Sequence, residues 1–357
     1  HKTCAHTASF CVSGDPADWD LAASSIKSFL DGQYASSINL YMSQEAFQKL
    51  EKEQKLDLFT MLKPLSVQLY ATTRDNSVLE NGRLLAVLME EGGKAMAFAC
   101  KKPATAIPDQ NWGNTEGHLL VRAEMENWHI TGIEVPFDEL LPSDYKGVDM
   151  VTLKEELNGP LKKFGQKFWE QLHTKDSKHL EQIGDAALER IIYTDRYFST
   201  PAHVLLLHEL IRAIPCKKAE VVGITIRTQD ISGQSVTLRP NRKYGHNWMP
   251  AEKEKRQEFI EGLMDQPPFG VELIEKHRNE LPHPRILKLH FADKSCLEIR
   301  LDQGMGYWDF NFREVFPFEA GVQQQLQTVA EDVGKVRVIT RSKFPTHYVV
   351  NFTKGDS

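Results

Sequence analysis

The order of secondary-structure signals constrains the fold more than any other feature, because the same order occurs twice along the chain. Each half has a β-rich segment, a helical segment, a second strand and helix, a third strand, a connector and then a β-hairpin. Strands that alternate with helical segments are typical of an α/β sheet. The sequence therefore predicts two α/β halves of similar plan.

Two short segments of the first half match segments of the second half in pattern. Val67-Gln68-Leu69 corresponds to Val271-Glu272-Leu273, and Arg83-Leu84-Leu85 corresponds to Arg285-Ile286-Leu287. Such self-similarity indicates duplication of one α/β unit. Chance likeness between ordinary α/β segments is the alternative, because the match is one of pattern more than of identity.

The length of the chain also favours two domains. Its 357 residues exceed the ~250–300 residues beyond which a single hydrophobic core stops growing. We therefore predict a first half over residues 1–150 and a second half over residues 188–357. Residues 151–187, which are helical in composition apart from Asn158-Gly159-Pro160, are predicted to form a helical junction.

The composition excludes several classes of protein. A hydrophobic share of 41% and a charged share of 26% are those of an ordinary globular protein. No stretch approaches the ~20 apolar residues of a membrane helix, so no membrane contact is expected. The five cysteines are odd in number and mostly lie in apolar segments, which indicates reduced thiols and a cytoplasmic location. The first residue, His1, indicates a processed fragment, a tag remnant or a piece of a larger protein.

Neither a cofactor nor a metal ion is expected. The sequence has no phosphate-binding P-loop and no dinucleotide-binding glycine motif. The spacing of His1, Cys4, His6 and Cys11 matches none of the usual zinc-ligand patterns. A net charge of −6 argues against binding of duplex nucleic acid over the whole surface, but it leaves room for one local basic cleft.

The segment around the second strand of the second hairpin holds the densest group of polar and aromatic side chains. Period-two alternation places Glu298 and Arg300 on one face of that strand. A loop with two glycines follows Asp302, and the pair Tyr307-Trp308 offers a stacking platform. We predict a binding site here. In the alternative interpretation, Arg300 and Asp302 form a surface ion pair and the two rings belong to the core.

A second polar and aromatic group, Asp195-Arg196-Tyr197, lies between the first strand of the second half and a helix. Ligands bind at this position in α/β sheets, because helix N–H groups point outward there and favour anions. Arg196, together with Arg285 and Arg300, is predicted to hold a phosphate or carboxylate through its guanidinium fork. Pairing of Arg196 with a neighbouring carboxylate is the structural alternative.

The second half resembles a known family at this point. The order runs from Asp195-Arg196-Tyr197-Phe198 through helix, strand, helix and strand to His283-Pro284-Arg285, a hairpin and the segment 302–308. This order is similar to the phospholipase-D-like domain at the C-terminus of MIT-domain proteins, over roughly residues 188–312. It also looks like regions of large helicase-type proteins of bacterial DNA-modification and anti-phage systems. The resemblance implies an α/β fold of two phospholipase-D-like halves, each a mixed sheet flanked by helices, in a pseudo-duplicated arrangement.

Catalytic members of the phospholipase D superfamily supply a His-x-Lys motif with a downstream Asp from each half. One histidine attacks phosphorus and the other protonates the leaving group. In this chain His283-x-Arg285 replaces Lys with Arg, and His290 stands at the aspartate spacing. The matching stretch of the first half, Glu80-Asn81-Gly82-Arg83, has no histidine. The resemblance therefore implies a catalytically degenerate fold.

The expected function is that of a component of a bacterial DNA-processing or anti-phage defence assembly, which binds nucleic-acid phosphate in a local basic cleft or binds a protein partner. A helicase-type subunit is an expected partner. Two alternatives remain at this point. One is a metal-independent phosphodiesterase or nuclease that acts as a homodimer through His283. The other is a pure protein-interaction module.

Overall fold

The structure of the protein is a computed structural model that divides into two compact units, His1–Ser143 and Asp144–Ser357. It describes the chain outside residues 1–4, 13, 33–34, 73–82, 90–94, 101–117, 122–131, 143–144, 146–149, 184, 233–243, 246, 278–279, 283–284, 312–315, 341, 343–344 and 355–357. No described helix is long and apolar enough to cross a membrane.

The first unit contains one seven-stranded mixed sheet with the order β6-β5-β4-β1-β2-β3-β7. The central strands β1, β2 and β3 are parallel, and the remaining neighbours are antiparallel. The elements in chain order are β1 (Ala5–Val12), α1 (Pro16–Gly32), β2 (Ala35–Ser43), α2 (Gln44–Gln48), α3 (Lys52–Leu62), β3 (Gln68–Thr72), β4 (Arg83–Met89), β5 (Ala95–Cys100), β6 (His118–Val121), β7 (Ile133–Val135) and α4 (Phe137–Leu140).

The helices of the first unit begin where the sequence has capping residues. Ser43 accepts a hydrogen bond from the backbone N–H of Ala46 at 3.0 Å, as a side chain at the N-cap position does. A separate helix, α3, starts soon afterwards, because Glu51 and Gln54 form a capping box at its N-terminus. Residues 44–62 therefore contain two helices, α2 and α3.

The second unit contains a seven-stranded mixed sheet with the order β12-β11-β10-β13-β14-β17-β8, and a three-stranded sheet with the order β15-β16-β9. Its elements are β8 (Met150–Leu153), β9 (Gly159–Pro160), α5 (Phe164–Lys175), α6 (Ser177–Leu180), β10 (Leu188–Thr194), α7 (Pro201–Arg212), β11 (Lys218–Gln229), α8 (Lys253–Met264), β12 (Phe269–Lys276), β13 (Arg285–Phe291), β14 (Cys296–Leu301), β15 (Trp308–Phe310), α9 (Val322–Asp332), β16 (Arg337–Thr340) and β17 (Thr346–Thr353).

Helix α7 lies against one face of the larger sheet of the second unit. Thr200 caps it by accepting a hydrogen bond from the backbone N–H of His203 at 3.2 Å, and Pro201 occupies its first position. Its apolar side chains, including Val204, Leu207 and Leu210, are buried in the same core as the inward-facing residues of β10. The cap fixes where β10 ends and α7 begins.

The two large sheets share one topology over six strands. The order β3-β2-β1-β4-β5-β6 corresponds to β12-β11-β10-β13-β14-β17, and each pair of neighbours has the same relative direction in both sheets. Arg83 begins β4 and Arg285 begins the corresponding strand β13. The prediction of an α/β chain with mixed sheets flanked by helices is confirmed. The additional edge strands differ, because β7 pairs with β3 whereas β8 pairs with β17.

The segment 151–187, predicted as a helical junction, is part of the second unit. Its first residues belong to β8, which pairs with β17, and β9 pairs with β16 in the small sheet. Helix α5 packs against α7, and Phe164 and Phe168 of α5 are fully buried in the core of the second unit. The burial of these side chains explains why the segment folds with the residues that follow it.

Candidate functional site

The carboxyl end of β10 carries a buried carboxylate, Asp195, which is 1% exposed. Its Oδ2 atom accepts a hydrogen bond from the Tyr193 hydroxyl at 2.8 Å, and its Oδ1 atom accepts one from the backbone N–H of Tyr197 at 2.8 Å. Its own N–H donates to the carbonyl of Arg227 on β11 at 2.9 Å. These bonds fix the carboxylate where β10 turns toward α7.

Arg285 reaches the same place from the neighbouring strand, because β13 is antiparallel to β10 and begins beside the end of β10. Its Nε atom lies 3.7 Å from Asp195 Oδ1, and its Nη1 atom donates a hydrogen bond to the carbonyl oxygen of Asp302. The guanidinium carbon lies 4.7 Å from the centroid of the Tyr197 ring, a cation–π distance. Three of the predicted site residues, Tyr197, Arg285 and Asp302, are therefore brought together.

The glycine-containing turn Gly304–Tyr307 lies against this arginine and this carboxylate. Gly304 has a φ of +56°, in the left-handed region that favours glycine. A Cβ atom at Gly304 would lie 2.6 Å from Arg285 Cγ and 2.8 Å from Asp195 Oδ2. The loop with two glycines that follows Asp302 therefore brings its backbone close to Arg285 and Asp195.

We expect a Gly304→Ala variant to be destabilised by about 2 kcal/mol or more. A left-handed conformation disfavours a Cβ atom, and the new atom would also displace Arg285. The midpoint of urea unfolding measures this effect. Gly334→Ala is the matched control, because no described atom lies within 4 Å of its Cβ position. Equal midpoints for the two variants would contradict the packing described here.

Sequence reasoning missed one member of the site, His203 on the first turn of α7. The imidazole is buried, and a Cβ at Gly306 would lie 3.6 Å from its Nε2 atom. Burial lowers the pKa of His203, and the opposing charge of Asp195 does not cancel this effect. The position of His203, three residues after the helix cap Thr200, was the available signal. We call Asp195, Tyr197, His203 and Arg285 the β10 cluster.

Two of the three predicted phosphate-binding arginines serve the fold instead. Arg196 is 4% exposed and donates hydrogen bonds to the carbonyls of Leu281, at 3.1 Å, and Pro282, at 3.3 Å. Arg300 is fully buried, and its Nε atom donates to Glu298 Oε1 at 2.5 Å. Of the three predicted arginines, Arg196 and Arg300 are thus buried and engaged by groups of the fold, whereas Arg285 is partly exposed. The ion pair that Arg300 forms with Glu298 lies inside the protein rather than at the surface.

Glu298 is the centre of a buried polar network on one face of the larger sheet. It accepts a hydrogen bond from the Tyr145 hydroxyl at 2.8 Å and forms an ion pair with Lys288 at 2.8 Å. Burial alone would raise the pKa of Glu298, but the charges of Arg300 and Lys288 outweigh burial, so the pKa is lowered. The carboxylate therefore stays ionised inside the protein.

The predicted stacking platform is part of the core. Tyr307 is 0% and Trp308 is 1% exposed. The Trp308 ring makes edge contacts with Phe164, at a centroid distance of 5.0 Å, and with Tyr307, at 5.1 Å. Trp308 therefore packs in the core of the second unit, against Phe164 of α5, rather than at the surface.

His283, the one predicted catalytic residue, lies outside the described residues, as does Pro284. In the part of the chain that the structure describes, no group of three or more His, Cys, Asp or Glu side chains could hold a metal ion. The arrangement of the β10 cluster is that of a fixed arginine beside an aromatic ring, which can hold an anion by charge and hydrogen bonding.

Comparison with known proteins places the second unit in a family. The family model described as the DEAD/DEAH box helicase YjiV, C-terminal domain, matches residues 147–352, which is more than half of the chain. The matched range lies inside the second unit, Asp144–Ser357. A search of curated proteins gives no match. The chain belongs to the family of the C-terminal domain of the DEAD/DEAH box helicase YjiV.

Proposed function

We propose that the chain is a catalytically degenerate, phospholipase-D-like component of a helicase-type assembly that processes DNA, of the kind found in bacterial DNA-modification or anti-phage defence. In this assembly the second unit binds nucleic-acid phosphate at the β10 cluster. The membership of residues 147–352 in a helicase C-terminal domain family supports the link to DNA. The repeated order of six strands supports a duplicated scaffold.

The observation that carries phosphate binding is the geometry of Arg285. Its side chain is 13% exposed and is held by Asp195, by the Asp302 carbonyl and by the face of Tyr197. A guanidinium fixed in this way loses little conformational entropy when it binds an oxyanion. Tyr197 and Asp302 are both partly exposed, so the cluster reaches the surface of the second unit. Aromatic rings beside basic side chains are common where proteins bind single-stranded nucleic acid.

Binding is favoured over catalysis by the residue types present. Two-histidine transfer of a phosphoryl group requires a histidine from each half. The first half has Asn81 and Gly82 just before Arg83, where the second half has His283 and Pro284 just before Arg285. His203 is not a substitute, because it is buried behind Gly306 and its pKa is lowered.

The test is fluorescence anisotropy of a labelled single strand and a labelled duplex, titrated with the full chain at one low salt concentration. We expect binding, and we expect Arg285→Gln to weaken it by about 10-fold, since one charge-assisted contact is lost. Arg337→Gln is the control, because Arg337 is exposed on β16 of the small sheet and is not part of the β10 cluster. Equal affinity of the Arg285 and Arg337 variants would refute the site.

Two other results would select the competing functions. Cleavage of the labelled strand that survives a chelator and disappears in His283→Ala would establish a phosphodiesterase. Absence of nucleic-acid binding in the wild-type chain, together with stable co-purification of a helicase subunit, would establish a protein-interaction module.

A further inference from the structure

Two glycines face each other in the larger sheet of the second unit, at the end opposite the β10 cluster. Gly223 of β11 is paired with Gly270 of β12, and Arg190 of β10 is paired with Gly223 on the other side. Residues paired across neighbouring strands project from the same face of a sheet. The two missing side chains therefore leave a flat floor of backbone beside Arg190.

The fold itself gives no steric reason for these glycines. Neither has a positive φ. Among the described residues, no atom lies within 4 Å of a Cβ position at Gly223, and only Asp265 Oδ1, at 4.0 Å, is near a Cβ at Gly270. A glycine inside a strand weakens the strand, and it often marks a place where a ligand or another chain approaches closely. The pairing of β10 with β11 shifts register beside Gly223, where a glycine also suits a bulge, whereas the pairing of β11 with β12 is regular at Gly270. The absence of both side chains leaves room for a ligand or another chain.

The floor belongs to a pocket of about 420 Å³ with an excess of negative charge. The residues that line it include three acidic ones, Glu189, Asp265 and Glu272, and one arginine, Arg190. All four side chains are exposed. Within the described part of the chain, none of the three carboxylates has a hydrogen-bond or ion-pair partner. Arg190 donates a hydrogen bond to the Thr225 hydroxyl at 3.5 Å.

We propose that this pocket is a docking site for an arginine side chain of a protein partner. Three acidic residues and one arginine line the pocket, so its net charge is negative and complements that of a cation. Its flat floor of glycine backbone matches a planar group better than a tetrahedral ammonium. A guanidinium is planar and weakly hydrated, and its fork of N–H groups binds carboxylates in pairs. This site is separate from the β10 cluster and does not depend on nucleic-acid binding.

The probe is N-acetyl-arginine amide, titrated into the full chain and followed by ligand-observed NMR. We expect one saturable site with a dissociation constant on the order of 1 mM, as a ligand of this size allows. N-acetyl-citrulline amide has nearly the same shape without the charge, and N-acetyl-lysine amide has the charge without the plane. Each of these two compounds is expected to bind at least about 10-fold more weakly than N-acetyl-arginine amide. Equal binding of either compound would overturn the proposal.

The decisive variant is Gly223→Val, because it fills the floor in a position where no described atom lies within 4 Å of the new Cβ. Valine is favoured in strands, so the melting temperature is expected to stay the same or rise while arginine binding is lost. Glu272→Gln is expected to weaken binding about 10-fold, and Glu258→Gln on the exposed face of α8 is the matched control. Retention of full arginine binding in a folded Gly223→Val chain would overturn the proposal, as would absence of binding to the wild-type chain.

Discussion

A Gly165→Ala variant is expected to lose about 3 kcal/mol or more of the unfolding free energy of the second unit. Alanine is normally the better helix former by about 1 kcal/mol, so the sign of the effect depends on the environment. At Gly165, on α5, a Cβ atom would lie 1.9 Å from the backbone carbonyl oxygen of Glu209 and 2.9 Å from Ala213 Cβ. The backbone of α7 cannot rotate away as a side chain can. Helices α5 and α7 would therefore have to separate.

The measurement is urea unfolding followed by far-ultraviolet circular dichroism. Gly262→Ala provides the matched control on another helix, α8. There the new Cβ would lie 2.6 Å from Leu326 Cδ1, which is the end of a flexible side chain and can move. We expect the unfolding free energy of this control to change by no more than about 1 kcal/mol. Similar losses in both variants would contradict the close contact between α5 and α7.

An Arg300→Leu variant is expected to be destabilised by about 3–5 kcal/mol at neutral pH. The substitution would leave the carboxylate of Glu298, which is 8% exposed, without its buried partner. Lys288 and Tyr145 would still contact Glu298, so the loss should stay within that range. The double variant Arg300→Leu with Glu298→Gln removes the buried charge as well and should recover part of the stability.

The pH dependence of this effect follows from the lowered pKa of Glu298. A carboxyl whose pKa is lower in the folded state than in the unfolded state stabilises the fold above its ordinary pKa. That stabilisation is lost as the pH falls through the lowered value. The difference in unfolding free energy between the wild-type chain and Arg300→Leu should therefore shrink on acidification. Urea unfolding at neutral and at acidic pH measures this difference in unfolding free energy. A difference that grows at acidic pH would contradict the role of the ion pair.

Local signals in the sequence predicted the elements around the site well. The cap residue Thr200 and the following Pro201 place the start of α7, and alternation in β14 places Glu298 and Arg300 on one face. The repeated order of strands and helices predicted the two similar sheets. The helix cap and the strand alternation each depend on residues within a few positions of one another, so a local sequence pattern contains them.

The roles of individual side chains depend on contacts that no local pattern contains. Arg196 is satisfied by carbonyls 85 and 86 residues away, and the Tyr145 hydroxyl binds Glu298 from 153 residues away. The strand β8 was not predicted because it exists only through its pairing with β17 near the end of the chain. Tyr307 and Trp308 looked like a surface platform because the small sheet that buries Trp308 is built from three separate segments.

The salt dependence of nucleic-acid binding tests the central claim most directly. The logarithm of the association constant for single-stranded DNA would be plotted against the logarithm of the salt concentration, for the wild-type chain and for Arg285→Gln. The account predicts a straight line for each protein, with the slope for Arg285→Gln smaller in magnitude by about 0.7, because one phosphate contact to a single strand is lost. Lines that coincide would show that Arg285 touches no phosphate, and the proposed site at the carboxyl end of β10 would be wrong.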